Sequence, residues 1–349
     1  MTDMKKPLSL QLDVSDFLPA SQDEKQSLVI MRGSVSFWRD GLRRFRKNKI
    51  AMISLIVILF VMIFAFVIPF FYPYSYEQQI RGSENLGLME YSQEELALKA
   101  AGENVFPHFL GTDALGRDTM IRLMMGSRVS LLVGIVASLL VLLIGSVYGS
   151  VAGYFGGKLD MIMMRLVDVI YTVPDILIII LLMVTLKYPL QNLANSSPAF
   201  EWINTIGVGL ICIFIVFALL YWVGMARIVR SQILTLKEQE FVTAARALGA
   251  SHGRVIRKHL LTNCMGTLIV TATLQIPSSI FTESFLSFIG IGVAAPMPSL
   301  GSMASQAIGG ISSYPYRLLA PAIMISLIIL SFNLMGDGLR DAFDPKLKN

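Results

Sequence analysis

At 349 residues, with 54% hydrophobic side chains and a mean hydropathy of +0.63, the chain carries more apolar surface than a soluble core consumes, so lipid is the expected solvent for much of it. The formal charge of +5 does not mark a nucleic-acid binder, because Lys and Arg gather beside long apolar runs, where they report membrane orientation. Two cysteines, Cys212 and Cys264, and three histidines, His108, His252 and His259, are too few and too scattered for a disulfide framework or a metal site.

A helix crossing a hydrocarbon core of about 30 Å needs roughly 20 mainly apolar residues. After a polar segment, 1–37, to which no role is assigned, six stretches meet that need: 50–71, 129–154, 167–186, 206–226, 266–292 and 319–335. The expected fold class is an all-α polytopic membrane protein with six transmembrane helices. The first stretch is too long and too far into the chain for a signal-peptide core and is read as an uncleaved anchor. Pro174 with Asp175 interrupts the third stretch, and Pro277 with Glu283 the fifth.

Positive charge sets the orientation. Arg39, Arg43, Arg44, Arg46, Lys47 and Lys49 precede the first stretch, and Arg227, Arg230, Lys237, Arg246, Arg254, Arg257 and Lys258 follow the fourth. The short connections after the third and fifth offer only Lys187 and Arg317. Both termini are therefore expected in the cytoplasm, in agreement with Arg340, Lys346 and Lys348 near the end. The chain then divides into the polar segment 1–37, a basic flank with the first helix over 38–72, an extracytoplasmic loop over 73–127, a five-helix core over 128–338, and a tail over 339–349.

No machinery for chemistry is visible. A phosphate-cradling loop needs Gly-x-x-x-x-Gly-Lys-Ser/Thr, and the one Gly-Lys step, Gly157-Lys158, runs into Leu159. There is no His-Glu-x-x-His zinc pair and no Gly-x-Ser-x-Gly elbow. No catalytic residue, cofactor or metal is expected, and uphill transport by this chain would require another subunit to supply energy.

The cytoplasmic loop 227–263 carries the most information. Residues 238–248 are rich in helix formers and open with acids, Gly249 suits a left-handed stop, and Ser251 can cap a second helix through about Leu261. Phe241, Val242, Ala245 and Leu248 recur at helical spacing, so the first helix is expected to present one compact apolar face, either to the protein's own spans or to a partner.

Phe241-Val242-Thr243-Ala244-Ala245-Arg246-Ala247-Leu248-Gly249-Ala250-Ser251, continuing to His259-Leu260-Leu261-Thr262-Asn263, resembles the loop motif of binding-protein-dependent ABC importer permeases. That motif reads Glu-Ala-Ala, three residues, Gly, then nine residues to an Ile-x-Leu-Pro-like end. Thr243 stands where Glu is usual and Thr262 where Pro is usual, while the spacing from Ala244-Ala245 to Gly249 is kept. Further stretches resemble the C-type subunit of the oligopeptide and dipeptide permease group: Gly111-Thr112-Asp113-Ala114-Leu115-Gly116-Arg117-Asp118, Gly153-Tyr154-Phe155-Gly156-Gly157-Lys158-Leu159-Asp160, Leu286 to Gly292, and Asn333 to Pro345. The resemblance implies a type I ABC importer permease fold in a bacterial plasma membrane. It also implies that Phe241, Val242, Thr243, Ala244, Ala245, Leu248 and Gly249 form a coupling helix against an ATPase. The partners it implies are a second related permease, two ATP-binding subunits, an extracytoplasmic solute-binding protein, a peptide substrate and the bilayer. Nickel, glutathione or another small solute is the alternative cargo.

Polar residues in the spans carry two readings each. Arg165 and Asp168 stand three apart and are expected to pair. Asp175, after Pro174, could line a pathway or bind the backbone the proline frees. Glu283 falls about 26 Å along its helix, at 1.5 Å per residue, and is a pathway candidate or a group paired elsewhere. The segment 111–118 is expected to be a tight turn held by Asp side chains, and Gly145, Gly149 and Gly153 a smooth stripe for helix packing. A stand-alone secondary transporter, the competing class, would show internal inverted repeats, and none is apparent.

Overall fold

The computed structural model describes residues 37–343, so the polar segment before Phe37 and, near the end, Asp344, Pro345, Lys346 and Lys348 lie outside the described residues. All the regular elements among the described residues are helical. Helix α1 (Phe37–Lys47) meets α2 (Lys49–Phe66) at Asn48, whose side chain caps α2 by accepting from the Ala51 amide. In the loop that follows, α3 (Gln93–Ala100) starts from a capping box between Ser92 and Glu95. Asp118 caps α4 (Thr119–Phe155), and α5 (Gly157–Thr172) and α6 (Asp175–Ser196) come next. Helices α7 (Val208–Leu220) and α8 (Trp222–Leu236) form one span, followed by the short α9 (Glu240–Ala247). A turn at His252–Arg254 and a π turn at Val255–Leu260 lead directly into α10 (Leu261–Phe288), and α11 (Leu300–Ala307) and α12 (Tyr316–Phe343) complete the order.

Six helical stretches are long and apolar enough to cross a membrane: Lys49–Phe70, Thr119–Phe155, Asp175–Ser196, Val208–Leu236, His252–Phe288 and Tyr316–Phe343. The number agrees with expectation, and several placements do not: the fourth runs to Leu236 rather than 226, taking in the start of the expected loop, the sixth runs to Phe343 rather than 335, and three others differ as follows. The stretch 167–186 is not one helix. Proline lacks an amide donor and disfavours α geometry at the residue before it, so Val173 is extended and Pro174 becomes the cap of α6. The second span starts at Thr119 rather than 129, because its extra arginines are partnered: Arg128 donates to the Ala65 carbonyl over 2.9 Å and lies over the Phe66 ring. The fifth starts at His252, since the expected second loop helix does not end near Leu261 but runs on as the span. Ser251 occupies the cap position there, yet its side chain makes no capping bond.

The expected Arg165–Asp168 pair is also replaced. Asp168 meets Arg227 of α8 at 2.7 Å, and Arg165 is exposed, with no ion pair among the described residues. The neighbouring carboxylate braces the same two helices, because Asp160 accepts both Nε and Nη2 of Arg230, at 2.5 and 2.6 Å. The expected turn at 111–118 is present. Asp113 accepts from the Leu115 and Arg117 amides, and Asp118 accepts from the Ile121 amide.

Helix α4 organises the bundle by packing along α8, α10 and α2. Its first turn adjoins the loop 67–118, and its last turn meets α9 through Arg246, whose guanidinium lies over the Tyr154 ring, and the following turn through His252, whose Nδ1 lies 2.8 Å from the Tyr154 hydroxyl. The two ends of the described chain sit together at that second end, where the Trp38 and Phe343 rings meet edge to face. Outside, Ile53, Phe60, Leu143, Val147, Leu181 and Leu330 are exposed, a surface suited to lipid.

Gly145, Gly149 and Gly153 bring α4 onto the backbone of α8. A Cβ on Gly149 would strike the Ala226 carbonyl, and one on Gly153 would lie 2.9 Å from the Arg230 carbonyl. Gly149→Ala is therefore expected to lower the thermal unfolding midpoint of the detergent-purified chain, through overpacking worth about 1–3 kcal/mol. Gly224→Ala, on the open side of α8, meets nothing within 4 Å and is expected to raise the midpoint through helix propensity worth about 0.5–1 kcal/mol. The hydrogen bonds from Arg230 hold the Asp160 carboxyl below its ordinary pKa. Their stabilisation is present above the ordinary carboxylate value and lost as pH falls through the lowered one. Asp160→Asn should flatten that acid limb of the midpoint-against-pH curve.

Candidate functional site

Helix α9 is built to stay in place while showing a free face. It closes with the paired hydrogen bonds of a Schellman stop: the Ala250 amide donates to the Ala245 carbonyl and the Gly249 amide to the Arg246 carbonyl. Gly249 has φ +80°, the left-handed geometry that this stop requires. The four apolar positions do not form the single face expected of them. Val242 and Ala245 are buried, Val242 packing with Ile233 of α8, Val255 and Leu260 of the π turn, and Cys264 of α10. Phe241 and Leu248 turn the other way, and Leu248 is 89% exposed. Thr243 and Ala244 are exposed beside them.

Polar contacts fasten α9 to its surroundings. The Arg246 guanidinium lies 4.9 Å from the centre of the Tyr154 ring, and the Tyr154 hydroxyl in turn engages His252. In the π turn, Thr262 donates to the Arg257 carbonyl over 3.2 Å and Asn263 to the His259 carbonyl over 2.6 Å. Each side chain supplies a donor to a carbonyl of the widened turn. Thr262 thus continues the helix at the position where the related motif has proline.

Asp175 and Glu283 stand in different environments. Asp175 is exposed at the start of α6, where its Oδ1 accepts from the Ile176 amide over 2.8 Å. It lines a cleft of about 510 Å³ with Tyr171, Pro174, Tyr221 and Gly224. The broken helix at Val173–Pro174 forms one wall, and the junction of α7 with α8 forms another. The Tyr221 hydroxyl, 2.8 Å from Thr282 Oγ1, ties this wall to α10. Glu283 has no exposed surface. Ser130 of α4 and Ser287 of α10 each donate to it at 2.7 Å, and Ser284 at 3.3 Å, so the carboxylate cross-links two spans from within.

Beyond the turn at 111–118, sequence spacing did not single out the buried cluster inside the 67–118 loop. His108 is fully buried there, with Nδ1 2.7 Å from Asp118 and Nε2 3.2 Å from Glu95, and its ring stacks on Tyr74. Burial, reinforced by Asp118 for Tyr72 and by Glu95 for Tyr74, pushes both phenols above their ordinary values. The signal available in the sequence was the Ser-x-x-Glu capping box at Ser92, which predicts a structured insertion.

Residues 145–349 match the family described as binding-protein-dependent transport system inner membrane component. Residues 36–87 match the N-terminal TM domain of oligopeptide transport permease C. The chain is 41% identical over 332 residues to the oligopeptide transport system permease protein OppC of Bacillus subtilis, covering 95% of this chain and 97% of that one. It is 40% identical to the dipeptide transport system permease protein DppC of the same organism, covering 95% and 93%. With the oligopeptide transport system permease protein OppC of Escherichia coli K12 the identity is 35%, covering 89% and 92%. The chain is a multi-pass inner membrane protein and belongs to the binding-protein-dependent transport permeases.

Proposed function

We propose that this chain forms half of the translocation pathway of an ATP-driven importer of oligopeptides or dipeptides and works by alternating access. In this family the ATPase lies in separate subunits. A second related permease would complete the pathway, two ATP-binding subunits would dock below, and a solute-binding protein would deliver cargo from outside. The peptide assignment rests on the relatives, which are described as oligopeptide and dipeptide permeases. Nickel or glutathione is the alternative cargo.

The observation that carries the reading is the division of labour in α9. Val242 and Ala245 anchor it, Gly249 lets the chain turn back into a span, and Phe241, Thr243, Ala244 and Leu248 are left facing outward. A side chain as apolar and as exposed as Leu248, on a rigid helix, is suited to a groove on another protein. The basic residues of α1, α8 and the π turn support a cytoplasmic placement of this end, and of both termini with it. Only 11% of the most apolar stretch of α6 is buried within the chain, against 56% for that of the span of α7 and α8. That leaves α6 and the Asp175 cleft free to face the second permease, and Asp175 is our candidate for contact with the solute.

Leu248→Asp is expected to leave the thermal midpoint of the isolated chain unchanged while reducing peptide-stimulated ATP hydrolysis of the assembled complex by tenfold or more. Val242→Asp, which buries an unpaired charge, is expected to prevent accumulation of the folded chain. Co-purification through a C-terminal tag, followed by the ATPase assay, reads both. A chain that purifies without ATPase subunits and moves peptide without ATP would overturn the importer reading.

A further inference from the structure

At the end of the bundle away from α9, the loop 67–118 and the segment after α10 line a half-open cavity of about 750 Å³. Three guanidiniums line it, those of Arg117, Arg122 and Arg317, against one carboxylate, Asp113. Asp113 is already engaged, accepting Arg117 Nε at 2.7 Å, with Arg122 Nε at 3.6 Å. The other acceptors are neutral. Gln306 Oε1 takes Nη2 of both Arg117 and Arg122, at 3.2 and 3.0 Å, and Asn85 Oδ1 takes Arg317 Nη1 at 2.7 Å.

These neutral partners orient the forks without cancelling their charge. Arg122 is 3% exposed and Arg317 is 9% exposed, yet Arg122 Nη1 and Arg317 Nε and Nη2 have no hydrogen-bond partner among the described residues. Tyr314, whose ring centre lies 3.9 Å from the Arg317 guanidinium carbon, fixes the plane of that group. One carboxylate stands against three guanidiniums, and buried charged donors left without acceptors are costly unless something supplies them. Glu283 shows the contrast, since its carboxylate is surrounded by serine hydroxyls of the same chain.

We propose that Arg122 and Arg317 form a subsite for a carboxylate carried by a small solute, which in a peptide is its C-terminal group. The last clause rests on the peptide reading of the proposed function; the carboxylate chemistry does not. Planar forks with open donors match a carboxylate in shape as well as charge. Because both guanidiniums are nearly covered, the ligand group must enter the cavity. A small flexible solute does so without the ordering cost of a protein loop.

The test uses the assembled transporter in nanodiscs with the binding protein omitted. Trialanine and trialanine amide serve as probes, and binding is titrated by saturation-transfer nuclear magnetic resonance. The acid is expected to bind tenfold or more tightly than the amide, the range for a hydrogen bond to a charged partner, and Arg317→Gln is expected to erase the difference. Equal binding of acid and amide by the wild type overturns the subsite without any variant, so a misfolded mutant cannot shelter it. An acid preference that survives Arg317→Gln overturns it as well. If Arg317→Gln leaves peptide binding intact but weakens capture of the binding protein, the carboxylate belongs to that protein and the solute assignment falls. Uptake of both peptides into proteoliposomes with the binding protein present reads the peptide assignment separately. Failure there, together with discrimination in the binding experiment, would leave the carboxylate subsite standing and remove only the peptide.

Discussion

The contact on which the rest of the structure depends is the glycine-lined seam between α4 and α8. Gly145, Gly149 and Gly153 leave no side chain between α4 and the carbonyls of Trp222, Ala226 and Arg230, so the two helices approach to backbone distance. A helix of 37 residues extends about 55 Å at 1.5 Å per residue, which makes α4 long enough to organise both ends of the bundle. At one end its Tyr154 holds Arg246 of α9 and His252 of the following turn. At the other its cap, Asp118, receives His108 of the loop, and its first turns carry Arg122. Widening the seam would displace both ends together.

This arrangement bears on how a push at α9 could reach the pathway. Helix α9 is tied to α4 through Arg246 and Tyr154, to α8 through Val242 and Ile233, and to α10 through a π turn that interrupts no span. Near the opposite end of the same helices, Glu283 joins α10 to α4 through Ser130. Ties at both ends make α4, α8, α9 and α10 a coherent body, whereas α5 and α6 are separated by Val173 and Pro174 with no helical hydrogen bonds across the break. In the proposed cycle, relative movement is accommodated most cheaply at that break, beside the Asp175 cleft.

Composition and run length made the six spans legible because lipid selects on length and apolarity alone. Their ends were less legible, for reasons specific to each. Arg122 and Arg128 look like the outside of a membrane, but Gln306 and the Ala65 carbonyl accept from them within the fold. Residues on both sides of Pro174 are apolar enough to be read through, and only the backbone rule for the residue before proline ends the helix there. In the loop around α9, Gly249 and the stop before it followed from local rules. The split of Phe241 and Leu248 from Val242 and Ala245 did not, because it depends on where α8 and the π turn lie. The pairing of Asp168 with Arg227 rather than Arg165 has the same origin: a partner across 59 positions of sequence outcompetes one a single turn away.

The polar groups inside such a protein can be sorted by whether the chain itself satisfies them. Glu283 looked like a site from its position and turned out to be enclosed by its own serines, a cross-link that stabilises the native packing without needing a ligand. Arg122 and Arg317, by contrast, keep buried donors without a partner among the described residues where they line a cleft. Ionisability in a membrane segment is therefore an incomplete criterion for function, because a carboxyl can have its hydrogen bonds supplied by hydroxyls of the same chain. A guanidinium oriented by amides and a tyrosine is different: its geometry is fixed while its charge is not cancelled, and that combination favours an anion arriving from elsewhere.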